Sequence, residues 1–169
     1  MELFEQISDF FTQNNISWIR LCIIAVLSYL LGSINFGLLI SKKKYHDDVR
    51  THGSGNAGAT NMLRTYGTKY AVITLVCDML KAAIATTLGY VIGSVFIGAP
   101  IAGFFCIFGH MFPVFYRFKG GKGVACTAMV MLLLSPASFV ILFPVFVLIV
   151  ALTRFVSLAS IMAIMLFPL

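Results

Sequence analysis

Residues 70–97, YAVITLVCDMLKAAIATTLGYVIGSVFI, are the longest apolar stretch and set the fold class. The stretch exceeds the roughly 20 apolar residues that a helix needs to cross the hydrocarbon core of a bilayer. Its only charged side chains belong to Asp78 and Lys81, three positions apart. The sequence therefore predicts a membrane-spanning helix that carries one pair of opposite charges.

The composition of the whole chain supports the same fold class. Hydrophobic residues make up 60% of the 169 residues, charged residues make up 11%, and the mean hydropathy is +0.98. An average soluble domain is about half apolar and a quarter charged. The alternating ten-residue segments of an outer-membrane barrel are absent from the sequence. We therefore predict an all-α, polytopic integral membrane protein in which residues 1–169 form a single helical bundle.

Five further apolar segments bring the expected number of membrane segments to about six. These five are residues 18–40, 101–115, 124–134, 138–152 and 156–169. Several are shorter than a full span, so we expect thin or broken helices, with breaks at the prolines at positions 100, 113, 136, 144 and 168.

The N-terminal residues carry Glu2, Glu5 and Asp9 where a secretory signal would carry basic residues, so we expect the N-terminus to remain attached. Apolar side chains recur there at helical spacing, which predicts a short amphipathic helix over residues 2–13 at the membrane interface.

Basic residues predict the orientation of the bundle. Nine of the twelve lysines and arginines lie in two loops, at positions 42, 43, 44, 50, 64 and 69 and at positions 117, 119 and 122. Loops rich in Lys and Arg face the cytoplasm in membrane proteins. We therefore expect both loops on the cytoplasmic face and the N-terminus outside.

The cysteines lie in apolar runs without the paired spacing of a metal site or a disulfide framework. They are Cys22, Cys77, Cys106 and Cys126. We predict that they are small buried hydrophobic residues, and we expect neither a metal nor a cofactor.

The first basic loop contains GSGNAGATNMLR, residues 53–64, a composition suited to holding a phosphate. Glycines let the backbone approach an anion, and short polar side chains and an arginine supply donors. Although its glycines formally match a dinucleotide fingerprint, the βαβ context of that motif is missing. The candidate residues are Ser54, Asn56, Gly58, Thr60, Asn61 and Arg64.

The second basic loop contains FKGGKG, residues 118–123, followed by a predicted helix from Val124. It is not a Walker loop, because Tyr116 occupies the first glycine position and Gly123 follows the lysine. A lysine and consecutive N–H groups at a helix N-terminus can bind an anion, although a GGKG turn taken alone is more often a simple flexible loop. The candidate residues are Gly120, Gly121, Lys122 and Gly123.

Three polar residues within the apolar segments have a structural and a functional interpretation. Asp78 and Lys81 share a helix face, so they either pair with each other or face a polar cavity beneath the loops. His110 lies shortly before the second loop and either packs inside the bundle or touches the site. The glycines of GSINFG, residues 32–37, would let a helix end bend or another backbone approach, and Gly89 and Gly93 suit helix packing.

Together, these motifs resemble the bacterial acyl-phosphate:glycerol-3-phosphate acyltransferase family. The resemblance rests on GSINFG, on GSGNAGATNMLR with Gly67 and the Asp78/Lys81 pair, on GHMFPVFYRFKGGKGVA at 109–125, and on SLAS at 157–160. The family implies a multi-pass enzyme of the bacterial cytoplasmic (inner) membrane. Its reaction moves an acyl group from acyl phosphate to the 1-position of glycerol 3-phosphate and gives lysophosphatidic acid, the first acylation of phospholipid synthesis.

Three features depart from the family pattern. Asn35 stands where proline is usual, and Cys126 precedes Thr127 where the family runs more directly into threonine or alanine. Family members also carry a seventh helix and a short cytoplasmic motif with histidine, asparagine, arginine and glutamate. We therefore expect the complete family fold to extend beyond Leu169.

The resemblance implies two phosphate sites with different roles. We expect Ser54 and Arg64 to act on the reacting groups, and Asn56, Gly58, Thr60 and Asn61 to hold one phosphate with them. The loop from Gly120 to Gly123 is the better candidate for glycerol 3-phosphate, bound chiefly through backbone N–H groups. Asp78, Lys81 and His110 are possible supporting residues.

The sequence offers no obvious catalytic nucleophile or base. Positions five after His46, His52 and His110 are Thr51, Ala57 and Phe115, so the His-x4-Asp pattern of other glycerolipid acyltransferases is absent. We expect direct attack by the glycerol hydroxyl, with a substrate phosphate as proton acceptor.

Two other classes of function fit parts of the pattern. A transporter or channel for an organic phosphate would use broken helices and intramembrane charges, and a scaffold subunit would use basic loops to meet anionic lipid. The expected partners are the two substrates and the lipid bilayer, and nothing in the sequence points to nucleic acid.

Overall fold

The computed structural model describes residues 17–166, and every regular element in that range is helical. Eight α-helices follow in chain order: α1 (Trp18–Ser33), α2 (Phe36–Tyr45), α3 (Ala59–Tyr66), α4 (Thr68–Gly93), α5 (Gly98–Met111), α6 (Val124–Leu134), α7 (Pro136–Thr153) and α8 (Val156–Met165). Short 3-10 turns at Val49–Thr51 and Val114–Tyr116 precede the two glycine-rich loops. The prediction of an all-α membrane bundle is confirmed, and the amphipathic helix predicted over residues 2–13 lies outside the described residues.

Four helical stretches are long and apolar enough to cross a membrane. They are Trp18–Tyr45, Thr68–Gly93, Gly98–Tyr116 and Pro136–Thr153. Helices α6 and α8 have only 11 and 10 residues. Each of the six predicted segments therefore contains helix, although some are interrupted, and six complete crossings stay a prediction.

The first span is interrupted at Ile34 and Asn35, although no proline lies there. The side-chain Oδ1 of Asn35 accepts a hydrogen bond from Leu38 N at 3.1 Å, which caps α2 and restarts the helix. A side chain at Gly32 would collide with the carbonyl of Cys106, and one at Gly37 would collide with the carbonyl of Ala57. The bend and the close approach predicted for GSINFG are both present.

The second span ends at Gly93, four residues before the predicted boundary at residue 97. Ser94 has a φ of 133°, a value outside any helix, and the chain turns there into α5. Side chains at Gly89 or Gly93 would collide with the backbone of Gly98, so the predicted role of these two glycines in helix packing is confirmed.

The prolines and cysteines only partly follow the prediction. Pro136 begins α7, but Pro144 lies within α7 and Pro100 within the first turn of α5, so neither ends a helix. Cys106 and Cys126 are fully buried, whereas Cys22 is exposed on α1 and Cys77 is half-buried. Burial was therefore wrongly predicted for Cys22, because an apolar helix in a membrane can also present its small residues outward.

Candidate functional site

The two glycine-rich loops meet at one end of the bundle, and Arg50 joins them. Its Nη1 donates to the carbonyl oxygens of Tyr116 at 3.1 Å and Lys119 at 2.9 Å. These partners are 66 and 69 residues away along the chain. The structure thus brings the two predicted phosphate loops together.

Asn61 organises the first loop from inside. Its Oδ1 accepts the N–H of Ser54 at 2.9 Å, and its Nδ2 donates to the carbonyls of Val49 at 2.8 Å and His52 at 3.0 Å. The side chain is buried, with 1% of its surface exposed. The prediction that Asn61 binds phosphate directly is therefore corrected: its amide donors are used within the loop, and it shapes the site.

The other candidates of the first loop remain open to a ligand. The side chains of Ser54, Thr60 and Arg64 are exposed, and within residues 17–166 they have no side-chain partner. Asn56 is half-buried, and its Oδ1 accepts the N–H of Gly58 at 3.0 Å, whereas its amide nitrogen has no hydrogen bond within residues 17–166. Gly58 then precedes α3, the short helix that carries Thr60 and Arg64. The loop presents two hydroxyls and one guanidinium.

The second loop is held against the end of α5. The N–H of Gly120 donates to Met111 O and that of Gly121 to His110 O, both at 3.1 Å. A side chain at Gly121 would collide with the ring of His110, and one at Gly120 with the carbonyl of His110. The expectation that these two N–H groups hold a phosphate is therefore wrong for this structure, because they cap α5 instead.

The hydrogen-bond donors of the second loop that are still available to an anion lie further along the loop. Gly123 adopts a φ of 79°, which glycine favours, and leads into α6. In the described part of the chain the N–H groups of Gly123, Val124 and Ala125 find no acceptor. With the ammonium of Lys122, they form the helix N-terminus that the sequence predicted as an anion site.

Lys122 also lies beside an apolar cavity. Its Nζ donates to Ser157 Oγ on α8 at 2.5 Å, so it reaches the SLAS segment. The cavity is about 120 Å³ and lies between α6, α7 and α8. Its lining comprises Lys122, Val124, Thr127, Ala128, Met131, Phe139, Leu142, Phe143, Phe146, Ser160 and Ala163. Lys122 is the one charged residue of this lining.

Asp78, Lys81 and His110 form one buried network beneath the second loop. Lys81 Nζ lies 3.0 Å from Asp78 Oδ1 and 3.0 Å from His110 Nδ1, and it donates to the carbonyls of Gly32 at 2.9 Å and Ile34 at 2.6 Å. All three titratable side chains are at most 4% exposed. The predicted pairing of Asp78 with Lys81 is present, and His110 touches the second loop through Gly121.

His110 lies close to both members of the Asp78–Lys81 pair. Its Nδ1 is 3.0 Å from Lys81 Nζ and 3.5 Å from Asp78 Oδ1. Lys81 also serves the carbonyls left free where α1 ends inside the bundle, a place where water is scarce. The network therefore ties the break in the first span to the second loop.

Two hydrogen-bonded carboxylates lie at the start of the first loop. The carboxylate of Asp48 accepts from Arg50, with Nη2 at 2.7 Å, and this hydrogen bond lowers the pKa of Asp48 and raises that of Arg50. The carboxylate oxygen Oδ2 of Asp47 accepts from His52 Nε2 and from the Tyr66 hydroxyl, each at 2.7 Å. Burial, followed by the hydrogen bond to Asp47, raises the pKa of Tyr66 to about 12.

Sequence reasoning missed Arg50 and the Asp47–His52 pair. The search for a histidine followed by an aspartate could not find a pair in which Asp47 precedes His52 by five residues. The charge-rich run HDDVRTH at 46–52, directly before the glycines, was the available signal. Among residues 17–166 there is no group of three or more His, Cys, Asp or Glu side chains that could hold a metal ion.

Comparisons with known proteins agree on one family. A family model described as glycerol-3-phosphate acyltransferase matches residues 22–169. The chain is 48% identical over 141 residues to the glycerol-3-phosphate acyltransferase of Geobacillus kaustophilus (strain HTA426), covering 83% of this chain and 71% of that protein. It is 43% identical over 140 residues to that of Bacillus subtilis (strain 168), covering 83% and 72%.

Solved structures give the same match. A crystal structure of PlsY (YgiH), an integral membrane glycerol 3-phosphate acyltransferase, in its glycerol 3-phosphate form superposes with a TM-score of 0.78 at 41% identity. It covers 85% of this chain and 72% of that one. The lysophosphatidic acid form gives a TM-score of 0.74 at 39% identity, over 85% and 71%.

Proposed function

The chain belongs to the glycerol-3-phosphate acyltransferase family, and we propose that its acyl donor is acyl phosphate. Membership makes the protein an acyltransferase that acylates glycerol 3-phosphate to lysophosphatidic acid. The proposed donor would deliver the acyl group to the 1-position and release inorganic phosphate. Both substrates then carry a phosphate, which accounts for two anion-binding loops in one site.

The main observation in favour of acyl phosphate is that two loops rich in hydrogen-bond donors meet beside an apolar cavity. Two phosphate dianions about 6 Å apart repel each other by on the order of ten kcal/mol at an effective dielectric constant near 20. Arg64 in one loop and Lys122 in the other supply the cations that offset this repulsion. The cavity beside Lys122 offers the apolar surroundings that an acyl chain requires.

The residues of the first loop divide into two roles. Ser54 and Arg64 are the proposed catalytic residues, because their exposed donors can stabilise the charge that develops on the acyl carbonyl and the leaving phosphate. Asn56, Gly58 and Thr60 hold the donor's phosphate with them. Asn61 keeps the loop in shape.

The second loop is the proposed site for glycerol 3-phosphate. Lys122 and the N–H groups of Gly123 and Val124 bind its phosphate, while Gly120 and Gly121 fix the loop on α5. Asp78, Lys81 and His110 support the loop from below.

The reaction needs no covalent enzyme intermediate. The 1-hydroxyl oxygen of glycerol 3-phosphate attacks the acyl carbonyl carbon, a new C–O bond forms, and the bond between that carbon and the phosphate oxygen breaks. The hydroxyl proton passes to a substrate phosphate, which leaves as inorganic phosphate. Proximity and charge stabilisation are the contributions asked of the protein.

We propose that the protein lies in the bacterial cytoplasmic membrane with both loops inside and the N-terminus outside. The basic residues of the two loops support this orientation. Labelling of cysteines introduced at positions 44 and 119, both exposed at the ends of the two loops, in intact cells tests it. An impermeant reagent should label neither position until the cells are opened. Labelling of either position in intact cells would contradict the proposed orientation.

Product formation in detergent tests the proposed donor. Purified protein is given glycerol 3-phosphate with palmitoyl phosphate, palmitoyl-CoA or palmitoyl-acyl carrier protein, and lysophosphatidic acid and inorganic phosphate are measured. We expect equal amounts of both products with palmitoyl phosphate alone. Product only from one of the thioesters would refute the proposed donor, and no turnover in a protein that transports phosphate in vesicles would favour a transporter.

Arg64→Lys tests the first-loop assignment within this assay. Lysine keeps the charge but loses the planar fork, so kcat/KM for acyl phosphate should fall at least tenfold, about 1.4 kcal/mol. Folding should be unchanged, because Arg64 has no partner among residues 17–166. Arg154→Lys, an exposed arginine in the turn between α7 and α8, is the matched control. Wild-type kinetics in Arg64→Lys would contradict the assignment of Arg64 to the phosphate site.

A further inference from the structure

Arg50 presents two opposite edges of its guanidinium to two different loops. Nε and Nη2 donate to the carboxylate of Asp48 at 3.0 and 2.7 Å. Nη1 donates to the carbonyls of Tyr116 and Lys119. Because Asp48 fixes one edge, the other edge is aimed at the second loop. The geometry requires a planar fork, which a lysine lacks.

The carbonyls that Arg50 holds flank the most unusual backbone of the second loop. Arg117 and Phe118, which lie between them, both have a φ of 58°, in the left-handed region that residues with a Cβ rarely adopt. Two such residues in succession persist only where surrounding contacts hold them. The N–H of Phe118 donates to Pro113 O at 3.0 Å, and Arg50 supplies the contacts from outside the loop.

Gly120 to Gly123 follow this turn directly, so the turn sets where the second loop begins. We propose that Arg50 is a positioning residue that clamps the strained turn 116–119 and thereby fixes the second glycine-rich loop relative to the first. The proposal rests on the proposed function, because it treats the two loops as the sites of two substrates that must meet. A displacement of about 1 Å between reacting groups can cost about a hundredfold in rate.

The first test replaces the fork and leaves the charge. In Arg50→Lys, kcat should fall at least tenfold and the Michaelis constant for glycerol 3-phosphate should rise, with a smaller change for acyl phosphate. Lys43→Gln removes a positive charge from an exposed lysine in the last turn of α2, close to Arg50 in the chain, and should leave the kinetics unchanged. Wild-type kinetics in Arg50→Lys would overturn the proposal.

The second test relieves the strain that Arg50 is proposed to hold. Glycine adopts a φ of 58° without a steric penalty. Adding Phe118→Gly to Arg50→Lys should therefore raise kcat at least threefold above that of Arg50→Lys alone. Arg117→Gly in the same background repeats the test at the other strained residue. A clamp predicts this non-additive rescue, whereas direct contact between Arg50 and a substrate predicts none. If neither glycine raises kcat in the Arg50→Lys background, the clamp is refuted.

Hydrogen exchange separates the clamp from the reaction itself. The N–H of Gly120 is bonded to Met111 O in the clamped loop. Its exchange in detergent should be at least fivefold faster in Arg50→Lys than in the wild type or in Lys43→Gln. This readout needs no turnover, so a protein that fails with acyl phosphate can still show the clamp. Equal exchange in all three proteins would refute it.

Discussion

Nζ of Lys81 lies 3.0 Å from Nδ1 of His110, and this contact joins the broken first span to the second glycine-rich loop. The same ammonium holds the carbonyls of Gly32 and Ile34 where α1 ends, and the ring of His110 lies where a side chain of Gly121 would be. One buried cation thus supports both a helix break and a loop. Its removal should affect both.

Lys81→Met should destabilise the protein strongly. The substitution leaves the carboxylate of Asp78, which is 1% exposed, without its charged partner, and breaking a buried ion pair from one side costs about 3–5 kcal/mol. Thermal unfolding in detergent measures the loss. Asp78→Asn combined with Lys81→Met should recover part of it, because the unpaired charge is then absent. A wild-type melting temperature for Lys81→Met would show that the pair is not needed for folding.

Gly121→Ala should raise the Michaelis constant for glycerol 3-phosphate several-fold more than that for acyl phosphate. The added methyl group meets the ring of His110, so the second loop must move away from α5. Steady-state kinetics with each substrate varied in turn measures the two constants. His110→Ala in the same chain makes room for the methyl group and should reduce the effect. Equal changes in both constants, or in neither, would contradict the assignment of this loop to the acceptor.

Some of these relationships could be predicted from sequence because they depend on local spacing. Asp78 and Lys81 lie three apart on a helix, so their pairing followed from helical geometry. The close approach at Gly32 followed from a glycine in an apolar run. Asp47 and His52 are also neighbours in the chain, but their contact depends on the turn at Val49–Thr51, which has no strong sequence signal.

Other features depend on contacts between distant parts of the chain. The bridge from Arg50 to Lys119 spans 69 residues, and the caps from Gly120 and Gly121 to α5 depend on how the chain returns after Pro113. Composition alone favoured both Asn61 and the second-loop glycines as anion ligands. The structure shows that polar groups within a loop must first satisfy the loop's own backbone.

Acid should weaken the attachment between the two loops. The folded-state pKa of Asp48 is lowered by its hydrogen bond to Arg50, so its contribution to stability is complete above the unfolded pKa, near 4, and is lost as the pH falls through the folded pKa. We expect to see this in the protection factor of the Gly120 N–H, which is its exchange rate relative to an unprotected amide at the same pH. Between about pH 7 and 3, this protection should fall only below about pH 4.

Asp48→Asn is the control for this acid effect. The side-chain amide of asparagine does not titrate between about pH 3 and 7. The variant should therefore show fast exchange of Gly120 throughout and no step near pH 4. Lys43→Gln should follow the wild type, because Lys43 is exposed and lies outside the bridge. A step of equal size in Asp48→Asn would assign the acid effect to another group.

Ala128→Phe should shorten the acyl chain that the enzyme accepts. Ala128 lines the apolar cavity between α6, α7 and α8, and a phenyl ring there fills space that the end of a long chain would occupy. The ratio of kcat/KM for lauroyl phosphate to that for palmitoyl phosphate should rise at least fivefold, with the Michaelis constant for glycerol 3-phosphate unchanged. Val140→Phe adds a ring at a position that is 68% exposed on α7 and outside the cavity lining, and it should leave the ratio unchanged. An unchanged ratio in Ala128→Phe, with a folded protein, would show that the acyl chain lies elsewhere.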